Sequence, residues 1–150
     1  MAKKTAPYKF GTKRGKKIDV PIRKTITAVK KKKPEIYPVQ GQMPDSKEEF
    51  YFALALEKLE LKFIYQYEIF DGRQRAGGQI IDFFVFTPPL PTPVYIQGEY
   101  WHRDKDKDQY KIARARMYFK GNAMPPLEIW AKDLQDIDMA YATAKRELKQ

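Results

Sequence analysis

The sequence predicts an α/β protein, on three observations. A helical stripe precedes three short runs of strand character, a helix separates these from a fourth, and no segment repeats internally. Three consecutive strands followed by a helical crossover predict a mixed sheet flanked by helices, in the order α-β-β-β-α-β-α.

The elements follow in turn. Asp45-Ser46-Lys47-Glu48-Glu49 opens the first helix, with Ser46 and Glu49 at capping-box spacing. Phe52, Ala53, Leu56 and Leu59 continue it as one apolar stripe. Phe63, Tyr65, Tyr67 and Ile69 alternate with Lys62, Ile64, Gln66 and Glu68, the period of a strand that shows one apolar face. Asp71-Gly72 and Gly77-Gly78 bracket a basic connection containing Arg73 and Arg75. Residues 79–86 (QIIDFFVF) form a nearly continuous apolar strand broken by Asp82. The proline-rich segment 88–93 is predicted to be neither helix nor central strand, because proline lacks the amide donor. Residues 94–97 read as the third strand, ended by Gly98. A polar loop over 103–108 leads to a helix over about 109–120, stopped by Gly121. Residues 127–130 give a fourth strand, and a final helix from Asp133 carries Leu134, Ile137, Tyr141, Ala144 and Leu148.

Charge divides the 150 residues in two. Of the 29 Lys and Arg, 13 lie in residues 1–33, against Asp19 alone of the 19 acids, so the other 16 basic and 18 acidic residues nearly cancel. The net +10 thus belongs to an N-terminal arm, placed at 1–44, and the body at 45–150 is close to neutral. The arm lacks apolar periodicity, which predicts an adaptively ordered segment that binds phosphate backbones by counterion release. Arg14, Lys16, Lys17, Lys30, Lys31, Lys32 and Lys33 are its candidate contacts; a solubilising tail, or one that docks on an acidic protein, is the alternative. The absence of cysteine excludes a disulfide scaffold, a thiolate zinc site and a cysteine nucleophile. His102 is the single histidine, so a multi-histidine cage is excluded as well. No apolar run approaches the roughly 20 residues that span a bilayer, and no apolar stretch follows the basic start. A soluble, cytoplasmic protein without membrane partners is therefore expected.

Two places invite chemistry. A carboxylate inside Ile80-Ile81-Asp82-Phe83-Phe84 either faces solvent, pairs with an arginine, or binds a hard cation such as Mg²⁺, which favours one or two carboxylates plus water. Gln97-Gly98-Glu99-Tyr100-Trp101-His102 ends the third strand, where side chains converge on ligands in α/β sheets. An imidazole there can take a proton from water at neutral pH, or simply pack beside Trp101.

The string Gly77-Gly78 through Asp82-Phe83-Phe84-Val85, followed by Tyr95-Ile96-Gln97-Gly98-Glu99-Tyr100-Trp101-His102, resembles the core of the very-short-patch-repair endonucleases. It also resembles the phage-encoded EDxHD homing endonucleases, which share the PD-(D/E)XK nuclease superfamily with them. The likeness covers residues 46–134 and implies a restriction-endonuclease-like α-β-β-β-α-β core. By that resemblance Asp82 binds Mg²⁺, with Mn²⁺ as its substitute, and a backbone carbonyl at Ile96 or Gln97 supplies a second ligand. His102 activates the attacking water. Glu49, with Glu48 as its neighbour, matches the first acid of the EDxHD pattern, and Asp108 (or Asp106) matches the last; an aspartate before a helix also serves as an N-cap. Lys111, Arg114 and Arg116 contact flanking phosphates or form a solvated helix face. Tyr95 and Gln97 stand where the superfamily has its E-x-K pair, Glu99 compensates only in a shifted register, and a cysteine-held structural zinc is not expected.

The expected function is a Mg²⁺-dependent endonuclease or nickase acting on double-stranded DNA, associated with phage or mobile elements. A catalytically inactive DNA-binding protein of nuclease fold and a basic RNA- or virion-associated protein are the alternatives. Recognition sequence, pathway and oligomeric state are not written in these residues.

Overall fold

The computed structural model describes residues 32, 34–98 and 105–148. The compact body begins at Glu35, and within it the predicted class is found: an α/β protein with a four-stranded mixed sheet and three helices. Its elements are α1 (Lys47–Lys58), β1 (Phe63–Ile69), β2 (Gln79–Val85), β3 (Thr92–Gln97), α2 (Lys105–Phe119), β4 (Leu127–Trp130) and α3 (Ile137–Leu148). The sheet order is β1-β2-β3-β4. The first two pairings are antiparallel and β3–β4 is parallel, which is why a helix must carry the chain between them.

The helices lie on opposite faces. Phe50, Phe52, Ala53, Leu56 and Leu59 at α1, with Ala140 and Ala144 of α3, pack on Tyr65, Phe83, Val85, Val94 and Ile129. Each large side chain buried there contributes about 1.5–3 kcal/mol, so this face holds most of the fold. The other face is thinner: α2 buries Ala115 against Ile69, Ile81 and Tyr95. An aromatic stack holds it down, with ring centroids 4.6 Å apart for Tyr67–Phe84 and 5.3 Å for Phe84–Phe119.

Four details depart from the sequence expectations. Residues 35–44, assigned to the arm on charge, carry Val39 in the main core. Within them the Gln40 side chain donates to the Phe63 carbonyl (2.6 Å) and accepts from the Tyr65 N–H (2.9 Å). The helix expected at 109–120 begins at Lys105, because its first turn, KDKD, is polar throughout and shows no stripe. Pro93 lies within β3, opposite Phe84, although β3 is an inner strand. Proline is accommodated there because β4 joins only from Val94 onward, so Pro93 has β2 alone beside it. The last helix starts at Ile137, after a short 3₁₀ turn at Ala131–Leu134 that buries Leu134.

Candidate active site

A break in the pleat creates the site. Residues two apart on a strand face the same side, yet Tyr65 belongs to the α1 face and Tyr67 to the α2 face. Opposite them, Phe83 and Ile81 divide in the same way. Gln66, at φ 53°, reverses the alternation, and the Gln66–Asp82 pair is missing from a register that otherwise runs from Phe63↔Val85 to Ile69↔Gln79. The single apolar face predicted for the first strand is therefore two half-faces.

At the same level β3 leaves β2. Their pairing ends at Phe83↔Val94, while β3 continues beside β4 as far as Gln97↔Trp130. The Ile96 N–H donates instead to Asp82 Oδ2, at 2.7 Å. Asp82 thus stands where two strands part, and among the described residues it is paired with no arginine.

Glu49 approaches it from α1. Ser46 Oγ caps the helix by accepting from the Glu49 N–H at 3.2 Å, half of the predicted capping box. The Glu49 carboxylate accepts from the Tyr65 hydroxyl at 2.5 Å. Burial raises this carboxyl from 4.5 to about 7; the Tyr65 hydrogen bond opposes the rise, and the charges of Asp82 and Asp45 add to it. Burial also raises Asp82, opposed by the Ile96 N–H and by Lys111, with Asp45 pushing the same way as burial. Burial followed by Glu49 raises Tyr65, which stays a phenol and a donor. The charge of Asp82, on a different element, therefore acts on Glu49.

A cleft of about 420 Å³ opens beside Asp82, lined among others by Asp45, Arg73, Gln79, Tyr110, Lys111 and Arg114. Its groups are linked: Arg73 Nη2 donates to Gln66 Oε1 (3.1 Å), and Gln66 Nε2 donates to Asp45 Oδ2 (3.0 Å) and to the Tyr65 hydroxyl (3.2 Å). The Lys111 ammonium lies 4.9 Å from the centre of the Tyr95 ring. Three cations and two carboxylates thus share one opening.

Compared with known proteins, the chain matches no family model, no curated protein and no solved structure.

Of the residues singled out in the sequence, Glu49, Asp82, Lys111 and Arg114 come together at or beside this cleft. Asp108 does not line it; it lies in the first turn of α2 and is not an N-cap, since the helix starts three residues before it. Gln97 is half-buried at the end of β3, paired with Trp130. Lys32 is exposed. His102, Glu99 and Trp101 lie outside the described residues, as do Arg14, Lys16, Lys17, Lys30, Lys31 and Lys33. Sequence reasoning missed Asp45, Tyr65, Arg73, Gln79 and Tyr110 as site groups. A glutamine leading an apolar strand directly after Gly77-Gly78 was a usable signal for Gln79; nothing in the alternation marked Tyr65.

Among the described residues no three acidic, histidine or cysteine side chains converge as a metal cage. Two largely buried carboxyls, with the charge of Asp82 adding to what burial does to Glu49, nevertheless match the one or two carboxylates that Mg²⁺ takes with a largely aqueous shell.

Proposed function

We propose that the protein is a metal-dependent DNA endonuclease or nickase, with the restriction-endonuclease-like core of the very-short-patch-repair and EDxHD nucleases. One observation carries this reading. Two carboxyls largely withdrawn from water, Glu49 on a helix and Asp82 on a strand, with the charge of Asp82 pushing on Glu49, stand by a cleft that Asp82 lines together with Arg73, Lys111 and Arg114. A divalent cation relieves that repulsion, and a phosphodiester satisfies those cations. The order of elements and the parting of β2 from β3 support the core assignment.

Asp82 and Glu49 would hold Mg²⁺, with the Gln97 carbonyl as a further donor; when bound, the ion polarises the scissile phosphate and stabilises the developing alkoxide. The remaining work falls to the chain. Lys111 and Arg114 orient the phosphate from α2, and the Tyr65 hydroxyl fixes the rotamer of Glu49. His102 takes the proton of the attacking water, and the basic arm supplies nonspecific affinity for duplex DNA.

Supercoiled plasmid with Mg²⁺ or Mn²⁺ tests the reading. The native chain is expected to nick it, and Asp82→Asn to abolish nicking. Glu49→Gln is expected to slow it by about 10–100-fold, and His102→Ala by about 10²–10⁴-fold.

A binding protein without turnover is the second reading, favoured by one contact: an Asp82 oxygen is already committed to the Ile96 N–H. Plasmid binding with no nicking in either metal establishes it.

A further inference from the structure

The wall of the cleft formed by Gln79 and Tyr110 carries groups that phosphodiester hydrolysis does not require. Gln79 is 5% exposed. Its Nε2 donates to the Tyr95 hydroxyl and to the Lys111 carbonyl, the latter at 3.2 Å. Among the described residues its Oε1 has no partner. That atom is closed to solvent although other parts of the residue line the cleft, so Gln79 shapes the wall through its amide contacts.

Tyr110 lines the same cleft and is 68% exposed, an aromatic ring that packing does not account for. Beside it the Arg114 guanidinium is held in place: Nη1 donates to the Gly77 carbonyl at 2.8 Å, and the group lies 4.4 Å from the Phe70 ring centre and 5.9 Å from that of Tyr110. The lining also includes bare backbone at Gly72 and Gly78, where a Cβ on Gly78 would fall 1.7 Å from the Gly72 carbonyl oxygen.

We propose that this cleft seats one unstacked nucleotide of the substrate strand. Its phosphate lies among Arg73, Lys111 and Arg114, and its base rests on Tyr110. The volume of about 420 Å³ falls in the range of small-ligand sites, roughly 300–1,000 Å³. The nucleotide has to leave the helical stack, because a base stacked in duplex DNA offers no free face to an aromatic ring. The choice of a nucleotide over other phosphate esters rests on the nuclease reading.

The test is equilibrium binding to the full chain in EDTA, which separates it from cleavage. The probes are deoxyadenosine 5′-monophosphate, deoxyribose 5-phosphate, which lacks the base, and inorganic phosphate. Saturable binding of deoxyadenosine monophosphate is expected, about tenfold weaker in Tyr110→Ala, which removes an exposed ring. Deoxyribose 5-phosphate is expected to bind about tenfold more weakly, and phosphate to compete poorly. Equal affinity for nucleotide and deoxyribose 5-phosphate, with no effect of Tyr110→Ala, overturns the proposal and leaves a phosphate cluster. Failure to bind nucleotide by a chain that nicks plasmid also overturns it, without touching the nuclease reading. Nucleotide binding by a chain that never nicks supports the cleft and removes the nuclease reading instead.

Discussion

Burial lifts the Glu49 carboxyl from 4.5 to about 7, so between those values the folded chain holds a proton there that the unfolded chain releases. The native state binds more protons across that window, and the stability contributed by this group falls as pH rises from about 4.5 to about 7 and is level above it. Tyr65, Asp45 and Asp82 are the groups that face it, and the raised Asp82 acts in the same direction. Glu49→Gln removes the titration and keeps an acceptor for Tyr65. Urea unfolding is expected to show this variant more stable than wild type by on the order of 1–2 kcal/mol at pH 8 and not at pH 5. A cation between the two carboxyls reverses the penalty. Mg²⁺ is therefore expected to raise the melting temperature more at pH 8 than at pH 5.5, and Asp82→Asn to cancel that rise.

At the scale of elements, the order of helices and strands was legible because α1, β1 and α3 each carry a plain apolar period and β2 a nearly continuous apolar run. Asp82 was legible as a charge in an apolar run; the distance of Glu49 from Ser46 marked a helix cap, and only the EDxHD resemblance marked it as a site residue. The reversal at Gln66 was not, because a left-handed residue inside a strand leaves the alternation of residue types intact and changes only where they point. The start of α2 was hidden for a related reason: a turn of alternating Lys and Asp has helical backbone and no apolar face. Tyr65, Gln79 and Tyr95 became site groups only once the strands were in register, since their partners lie 16 or more positions away. The loop between β1 and β2 is the tightest joint of this architecture. Gly78→Ala drives a methyl group into the backbone at Gly72 and is expected to cost about 1–3 kcal/mol by chemical denaturation. The same substitution is expected to weaken DNA cleavage, because Gly72 and Gly78 both line the cleft.

For the whole molecule the decisive property is the separation of charge from fold. A nearly neutral body carries the cleft, and 13 of the 29 basic residues lie in the arm, which on the proposed reading attracts the polyanion. Replacing Lys30, Lys31, Lys32 and Lys33 by serine in the full chain is expected to flatten the salt dependence of duplex binding. The slope of log affinity against log salt should change by about 3 if each lysine neutralises one phosphate; an unchanged slope takes the arm off the DNA.

The Gln40 amide has a further consequence for how copies of this chain meet. β1 is an outer strand of the sheet, and an uncovered outer strand is a template on which a stray chain can zip up. Gln40 fills the Phe63 carbonyl and the Tyr65 amide with its own side chain, so a would-be intruder finds its first two rungs taken. One glutamine thus withdraws two backbone groups of this border from any strand that would pair there.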